Sequence, residues 1–185
     1  TGFVHRVAAF MTFFYFAAHL TQLFNLWKKS GKSIKDYLLD DDSMVPNARD
    51  GRELIQTFKW FIGMGERPNY GRWTYWEKFD YFAVFWGVAM IGFTGLTLWF
   101  PEFFTRFLPG SFINIATVIH SDEALLATGF IFTIHFFNTH FRPDKFPMDP
   151  VIFTGSVPLE EFKEDRPREY QELVDAGKLD ELLVD

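Results

Sequence analysis

Three long hydrophobic segments alternate with polar segments along the chain. The hydrophobic segments cover residues 2–27, 79–100 and 112–140, and each reaches the roughly 20 residues that a helix needs to cross a bilayer. The loop of residues 28–78 and the tail of residues 141–185 carry nearly all of the charged side chains. This pattern predicts an all-α integral membrane protein, a helical bundle with three spanning helices in this chain.

We predict two domains, a transmembrane domain of residues 1–140 that includes the loop and a C-terminal acidic tail of residues 141–185. Within the loop, apolar residues recur at helical spacing between Asp50 and Gly63, which predicts an amphipathic helix. That helix lies either flat in the membrane interface or packed against the protein, because both arrangements give the same pattern. Helix signals begin at Ser156, and the segment from Glu164 to the end is predicted to form short acidic amphipathic helices. The acidic tail from Glu160 onward is either a docking surface or a solvated end.

Charge predicts the orientation of the chain in its membrane. Three spans put the loop and the tail on one side, and that side holds every Lys and Arg except Arg6 and Arg106. By the positive-inside rule this side is cytoplasmic, so we expect a multi-pass protein of the inner (cytoplasmic) membrane. The first and third spans then run parallel, both from the outer face toward the cytoplasm.

Composition narrows the class of protein. Aromatic residues make up 20% of the chain and include 25 Phe, far above the level in soluble proteins. Because there is no cysteine, the chain cannot hold an iron–sulfur cluster, a thioether-linked haem or a disulfide, and any such centre belongs to a partner. The net charge of −6 argues against nucleic acid as a partner.

Four histidines lie in the first and third spans, two in each. His5 and His19 are 14 residues apart, about 21 Å along an α-helix, and point within roughly 40° of one another. His120 and His135 are 15 residues apart, about 22 Å, and roughly 60° out of line. Since a histidine facing lipid is costly, we expect two pairs to form between the helices. His5 then faces His120 near the outer face, and His19 faces His135 nearer the cytoplasm.

A b-type haem is the ligand that best fits each pair. A metal ion alone needs three or four protein ligands, whereas a haem asks the protein only for two axial ones. The residues between the histidines are mostly small, so a flat ring could approach the backbone. Alternatively, small residues only let the helices pack closely, and the histidines make interhelical hydrogen bonds. Two pairs at matched depth favour two haems over that alternative. The small residues are Ala8, Ala9 and Thr12 on the first span and Ala124 and Ala127 on the third.

Polar residues at the predicted interfaces are further candidates for ligand binding. Arg6 and Arg142 could pair with haem propionates, although snorkelling to the interface is the ordinary role of such cations. Asn138, His140 and Arg142 could bind the head group of a quinone, either menaquinone or ubiquinone, or simply be solvated. His140 is five residues past His135, about 140° around an α-helix, so it does not extend the row of histidines.

The second span contains no histidine. We therefore expect it to pack through Gly87, Gly92 and Gly95 and not to bind a ligand itself. On the third span, Asp122 and Glu123 could carry protons from a quinol, or they could be hydrated residues at the entrance of the helix.

Longer motifs that extend over most of the chain resemble a known family. They are similar to the membrane cytochrome b subunits of the formate dehydrogenase gamma and nickel–iron hydrogenase type. The closest similarity is to the cytochrome b/b6-domain proteins found with multihaem cytochromes c. The motifs are HRVAAF, GERPNYGRWTYWEKFDYFAVFWG, TGLTLWFPE, ATVIHSDEALLATGFIFTIHFFNTHFRPDKFPMD and FTGSVPLEEFKEDRPREY.

The resemblance implies a bundle of four spanning helices with two b-type haems. It implies electron transfer between a quinone pool and a partner redox protein, either a multihaem cytochrome c or an iron–sulfur or dehydrogenase subunit. It carries over His5, His120 and His135 as axial ligands. Relatives have another spanning helix before HRVAAF, which is absent here or lies on another chain. If that helix supplies a ligand, His135 pairs with it and not with His19.

The sequence therefore predicts a dihaem electron-transfer subunit of a respiratory oxidoreductase complex. Whether the chain itself oxidises a quinol or reduces a quinone stays open. The alternative function is a non-catalytic membrane anchor that docks a soluble dehydrogenase or a multihaem cytochrome.

Overall fold

The computed structural model of the protein describes residues 2–40, 42–143 and 145–184. These residues form helices and their connections, with no β-strand among them. Three helices are long and apolar enough to span a membrane, Gly2–Ser30, Tyr75–Trp99 and Ser111–Phe141. The predicted all-α class and the three candidate spans are therefore confirmed, whereas the bundle of four and the interfacial position of the loop helix stay predictions. In chain order the helices are α1 (Gly2–Ser30), α2 (Ile34–Leu38), α3 (Ala48–Phe61), α4 (Tyr75–Trp99), α5 (Pro101–Phe104), α6 (Ser111–Phe130), α7 (Val151–Thr154), α8 (Leu159–Asp165), α9 (Pro167–Asp175) and α10 (Leu179–Leu182).

The third span departs from α-helical geometry in its last eleven residues. After α6 the chain continues as two π-helical turns, Ile131–His135 and Phe137–Phe141. The amide of Arg142, for example, donates to the Phe137 carbonyl five residues earlier, at 3.0 Å. A π-helix advances by a different angle per residue, so the α-helical angles predicted for His135 and His140 do not apply there.

Contacts along the chain define two compact units. The first, which we call the span unit, contains the residues up to Ile34 together with Phe82–Met148. The second, the loop–tail unit, contains Lys35–Tyr81 and the chain from Asp149 onward. These units divide the chain after Met148 and group the loop with the tail, and the predicted domains of residues 1–140 and 141–185 stay a prediction.

In the span unit, α1 and α4 pack antiparallel. Near the start of α1, the Arg6 guanidinium lies 5.4 Å from the centre of the Trp99 ring at the end of α4. Further along α1, Phe16 packs edge to face on Phe85, with ring centres 5.3 Å apart. Residue numbers rise on one helix as they fall on the other, which defines the antiparallel arrangement.

The third span is antiparallel to α4 as well, so it runs parallel to α1. Phe112 at the start of α6 packs on Phe93, with ring centres 6.1 Å apart, and the Trp86 indole donates a hydrogen bond to the Glu123 carboxylate. Glu123 lies 12 residues past Ser111, about 18 Å along the helix. Its contact with Trp86 ties the middle of α6 to the middle of α4, and its role as a proton carrier or as a hydrated residue near the helix entrance stays a prediction.

In the loop–tail unit, the acidic tail is held to the loop by arginine–carboxylate pairs. Arg67 of the loop contacts Glu164 at 3.4 Å and Asp165 at 3.1 Å. In the opposite direction, Arg166 of the tail contacts Glu77 at 2.6 Å. The first part of the tail therefore contacts the loop through residues of both segments, while nearly all residues after Tyr170 are exposed. The role of the tail as a docking surface or a solvated end stays a prediction.

Two carboxylates of α3 are buried in the same unit. Asp50 caps the helix by accepting the Asn47 amide at 2.6 Å, and it pairs with the Lys78 ammonium at 3.1 Å. Glu53 contacts Arg168 at 3.4 Å, but its second oxygen is buried with no hydrogen-bond partner among the described residues. Burial raises the pKa of Glu53 above its ordinary value, because desolvation outweighs the attraction of the Arg168 guanidinium.

This raised pKa predicts a pH-dependent stability. The folded state binds the Glu53 proton more tightly than the unfolded state, so the contribution of Glu53 is full below the unfolded pKa and is lost as pH rises through the folded pKa. We expect the melting temperature of Glu53→Gln in detergent, relative to wild type, to rise as pH increases from the ordinary pKa of a glutamate through the raised pKa of Glu53. Glu164→Gln, which removes a mostly exposed partner of Arg67, controls for the loss of an ion pair alone. A difference between Glu53→Gln and wild type that stays constant with pH would contradict the assignment.

Candidate functional site

A cavity of about 530 Å³ lies between α1, α4 and α6 in the span unit. Its volume is within the range of about 300–1,000 Å³ that is usual for cofactor and ligand pockets. Helix α1 lines it with His5 and with the small residues Ala8, Ala9 and Thr12, and α6 contributes His120. The small residues that sequence analysis placed between the histidines of the first span therefore do face an open space.

Helix α4 supplies the largest share of the lining, which sequence analysis did not predict. Gly87, Gly92 and Gly95 all border the cavity, together with apolar side chains of the same helix. Gly92 and Gly95 also pack closely as expected, since a Cβ atom added there would lie 2.9 Å from the Phe13 ring and 2.9 Å from the His120 ring, respectively. The expectation that this span binds no ligand itself stays a prediction. The sequence signal that α4 could line a cavity was the spacing of its three glycines, because glycines leave the helix backbone open to a ligand as readily as to another helix.

His5 and His120 face each other across this cavity. Their ring centres are 5.9 Å apart, and the ring planes are nearly perpendicular at 86°. Two imidazoles that bind one metal ion from opposite sides, each through a bond of about 2.0–2.1 Å, have their ring centres about 6.4 Å apart, because each ring centre lies about 1.15 Å behind its nitrogen. The structure thus brings the two histidines of the predicted outer pair into edge-to-face contact, about 0.5 Å closer than a shared metal ion would hold them.

The position of His120 is determined by contacts to α4. Its Nδ1 atom lies 3.0 Å from the Ile91 carbonyl oxygen and 3.2 Å from the Thr94 hydroxyl. A Cβ atom added at Gly95 would lie only 2.9 Å from Cε1 of the imidazole. The ring therefore rests against the backbone of α4, where only glycine leaves room for it.

The two predicted propionate partners differ in position. Arg6 borders the cavity and stacks over Trp99, so its charge lies where α1 begins and α4 ends. Arg142 follows the second π-helical turn and is half-buried. A role for either residue in binding propionates stays a prediction.

The second predicted pair is His19 and His135. The His19 ring lies 6.1 Å from that of Phe85, and the His135 ring lies 6.1 Å from that of Phe136. The cavity lining, as formed by the described residues, includes neither histidine. Their pairing stays a prediction.

The predicted quinone residues lie on and directly after the second π-helical turn. The Asn138 amide donates to the Ile134 carbonyl of the same span at 3.0 Å. The Nδ1 atom of His140 is buried without a hydrogen-bond partner in the described part of the chain. A hydrogen-bonding ligand could use that nitrogen, and the quinone site stays a prediction.

Comparison with other proteins does not add to this picture. The chain matches no known protein family, no characterised protein and no solved structure. Across residues 2–40, 42–143 and 145–184, no cluster of three or more His, Asp or Glu side chains could hold a metal ion. The resemblance to cytochrome b subunits therefore stays an expectation, and the function is argued from the geometry of the cavity.

Proposed function

We propose that the protein is a membrane subunit that binds two b-type haems and transfers electrons across the bilayer. The observation that carries the proposal is the approach of His5 and His120 to 5.9 Å across a cavity inside a set of spanning helices. Two imidazoles this close would need to separate by only about 0.5 Å to hold one haem between them. The small α1 residues and the α4 glycines leave space for a flat macrocycle.

Ligation by two histidines also favours one kind of chemistry. A haem with both axial positions filled exchanges electrons but leaves no open site for oxygen or substrate. The chain's own residues then hold the group, exclude water from it and provide a cation, Arg6, at the outer end of the site. The proposed role is thus electron transfer within an oxidoreductase complex.

The second haem is assigned to His19 and His135, nearer the cytoplasmic face. This assignment is supported by the sequence spacing, because His19 follows His5 by 14 residues in the first span and His135 follows His120 by 15 residues in the third. A ligand supplied by another helix in place of His19 is the alternative. Electrons would pass between this haem and menaquinone or ubiquinone bound near Asn138, His140 and Arg142.

The chain requires partners for this role. It contains no cysteine, so a multihaem cytochrome c or an iron–sulfur or dehydrogenase subunit would carry the electrons onward. None of the residues of α1, Gly2–Ser30, is buried within the chain, which supports a bilayer and a further spanning helix as its surroundings. The proposed location is the inner membrane, with the loop and the tail in the cytoplasm.

The test is a dithionite-reduced minus oxidised spectrum of the purified chain, with pyridine haemochrome quantitation of haem b per polypeptide. We expect two haems. One haem would support the His5–His120 site and assign the missing ligand to another helix. A colourless chain in which the spans are folded would contradict the proposal and favour the non-catalytic anchor.

A further inference from the structure

We propose that Thr94 is a positioning residue for His120. Together with the Ile91 carbonyl, its hydroxyl holds the imidazole as the Nδ1–H tautomer, so that Nε2 is the atom that binds the metal. The same contacts make His120 a more strongly donating ligand than an isolated histidine. The effect on a bound haem rests on the proposed function, whereas the tautomer of His120 does not.

The hydrogen-bond partners of His120 decide which ring nitrogen carries the proton. A backbone carbonyl can only accept, so Nδ1, at 3.0 Å from the Ile91 oxygen, must carry the hydrogen. The Thr94 hydroxyl lies 2.6 Å from the Met90 carbonyl and donates its single proton there. Its oxygen is then an acceptor toward Nδ1 at 3.2 Å. Two acceptors therefore share one N–H group, and in the neutral ring Nε2 has a free lone pair.

Burial protects the hydrogen bonds of the His120 Nδ1–H group from competition by water. Thr94 is 1% exposed, so no water competes for its hydroxyl. The ring itself lies against α4 at Gly95, where an added Cβ would also come within 3.4 Å of Nδ1. Close approach to the helix backbone is what lets an ordinary α-helical carbonyl accept a second hydrogen bond from a side chain.

A hydrogen bond from the distal N–H to an acceptor raises the basicity of a ligating histidine and fixes the orientation of its ring. A more basic ligand stabilises the oxidised form of an iron centre relative to the reduced form. Removing the Thr94 acceptor is therefore expected to raise the reduction potential of the haem bound by His5 and His120, and to leave the other haem unchanged.

The first test needs no haem. Full-length chain labelled with 15N-histidine is purified from cells deprived of haem precursors, and the His120 signals are assigned with His120→Ala. We expect the Nδ1–H tautomer in wild type and also in Thr94→Val, where the Ile91 carbonyl still accepts from Nδ1. The chemical shift of the Nδ1–H group should change in Thr94→Val, which removes the second acceptor, and should return to the wild-type value in Thr94→Ser. A wild-type Nε2–H tautomer, or an unchanged Nδ1–H shift in Thr94→Val, would overturn the inference.

The second test measures reduction potentials of the haem-loaded protein. Thr94→Val should raise the potential of one haem, and Thr94→Ser should restore it. Thr117→Val is the matched control, because that hydroxyl lies three residues before His120 and donates to the Ile113 carbonyl of its own helix at 2.9 Å. Unchanged potentials in Thr94→Val with both haems retained would overturn the effect on the ligand. A protein that binds no haem at all would overturn the proposed function while leaving the tautomer measurement valid.

Discussion

His120→Ala is expected to lower the haem content of the purified protein from two b-type haems per polypeptide to one. His120 is the contribution of α6 to the outer pair, and its ring faces His5 at 5.9 Å. With alanine at this position the outer haem would keep only His5 as a ligand, and it would no longer connect α1 to α6. His19 and His135 lie more than ten residues from either outer ligand along their helices, so their haem should remain.

The measurement is pyridine haemochrome quantitation together with the reduced minus oxidised spectrum. Thr117→Ala is a suitable control, since it truncates an exposed side chain one turn earlier on the same helix and should keep both haems. Circular dichroism of each variant separates loss of haem from loss of fold. If folded His120→Ala protein still binds two haems, the assignment of the outer pair is wrong.

Lys78→Met is expected to destabilise the loop–tail unit by about 3–5 kcal/mol, because it leaves a buried carboxylate without its counter-ion. The Lys78 side chain is only 4% exposed and that of Asp50 only 11%, so water cannot replace the lost partner. Asp50 keeps the hydrogen bond from the Asn47 amide, which compensates only part of the charge. Urea unfolding in detergent, followed by tryptophan fluorescence, gives the change in the free energy of unfolding.

The double variant Asp50→Asn with Lys78→Met tests whether the unpaired charge of Asp50 causes the destabilisation. Removing both charges should restore much of the stability, because an unpaired buried charge is costlier than a neutral pair. Lys163→Met breaks the more exposed pair with Glu160 and should have a much smaller effect. Equal losses in Lys78→Met and Lys163→Met would show that burial of the Lys78 pair is energetically unimportant.

The spans were predictable because length and hydrophobicity are properties of single segments. The first span was predicted at 2–27 and is Gly2–Ser30 in the structure, and the third was predicted at 112–140 and is Ser111–Phe141. The meeting of His5 with His120 was predictable for a related reason, since position along parallel helices translates directly into depth.

Other features depend on contacts that no single segment contains. The pairing of Arg67 with Glu164 joins residues 97 positions apart, and the tail offers several equivalent carboxylates in sequence. The role of Gly95 could not be predicted either, because a glycine has no side chain that indicates a function. Its role becomes visible only from the position of the His120 ring against it. The π-helical turns after α6 make the α-helical angles assumed for His135 and His140 inapplicable, and no residue type in that segment indicates such turns.

The absence of any buried residue in α1 has a consequence for how the protein is assembled in the cell. A spanning helix with so few protein neighbours gains little from docking on α4 and α6 alone, since lipid tails contact apolar side chains as well as another helix does. A group bound by both His5 on α1 and His120 on α6 would supply the missing attachment. On the proposed function, insertion of the cofactor would therefore be the step that fixes α1 in its place beside α4 and α6.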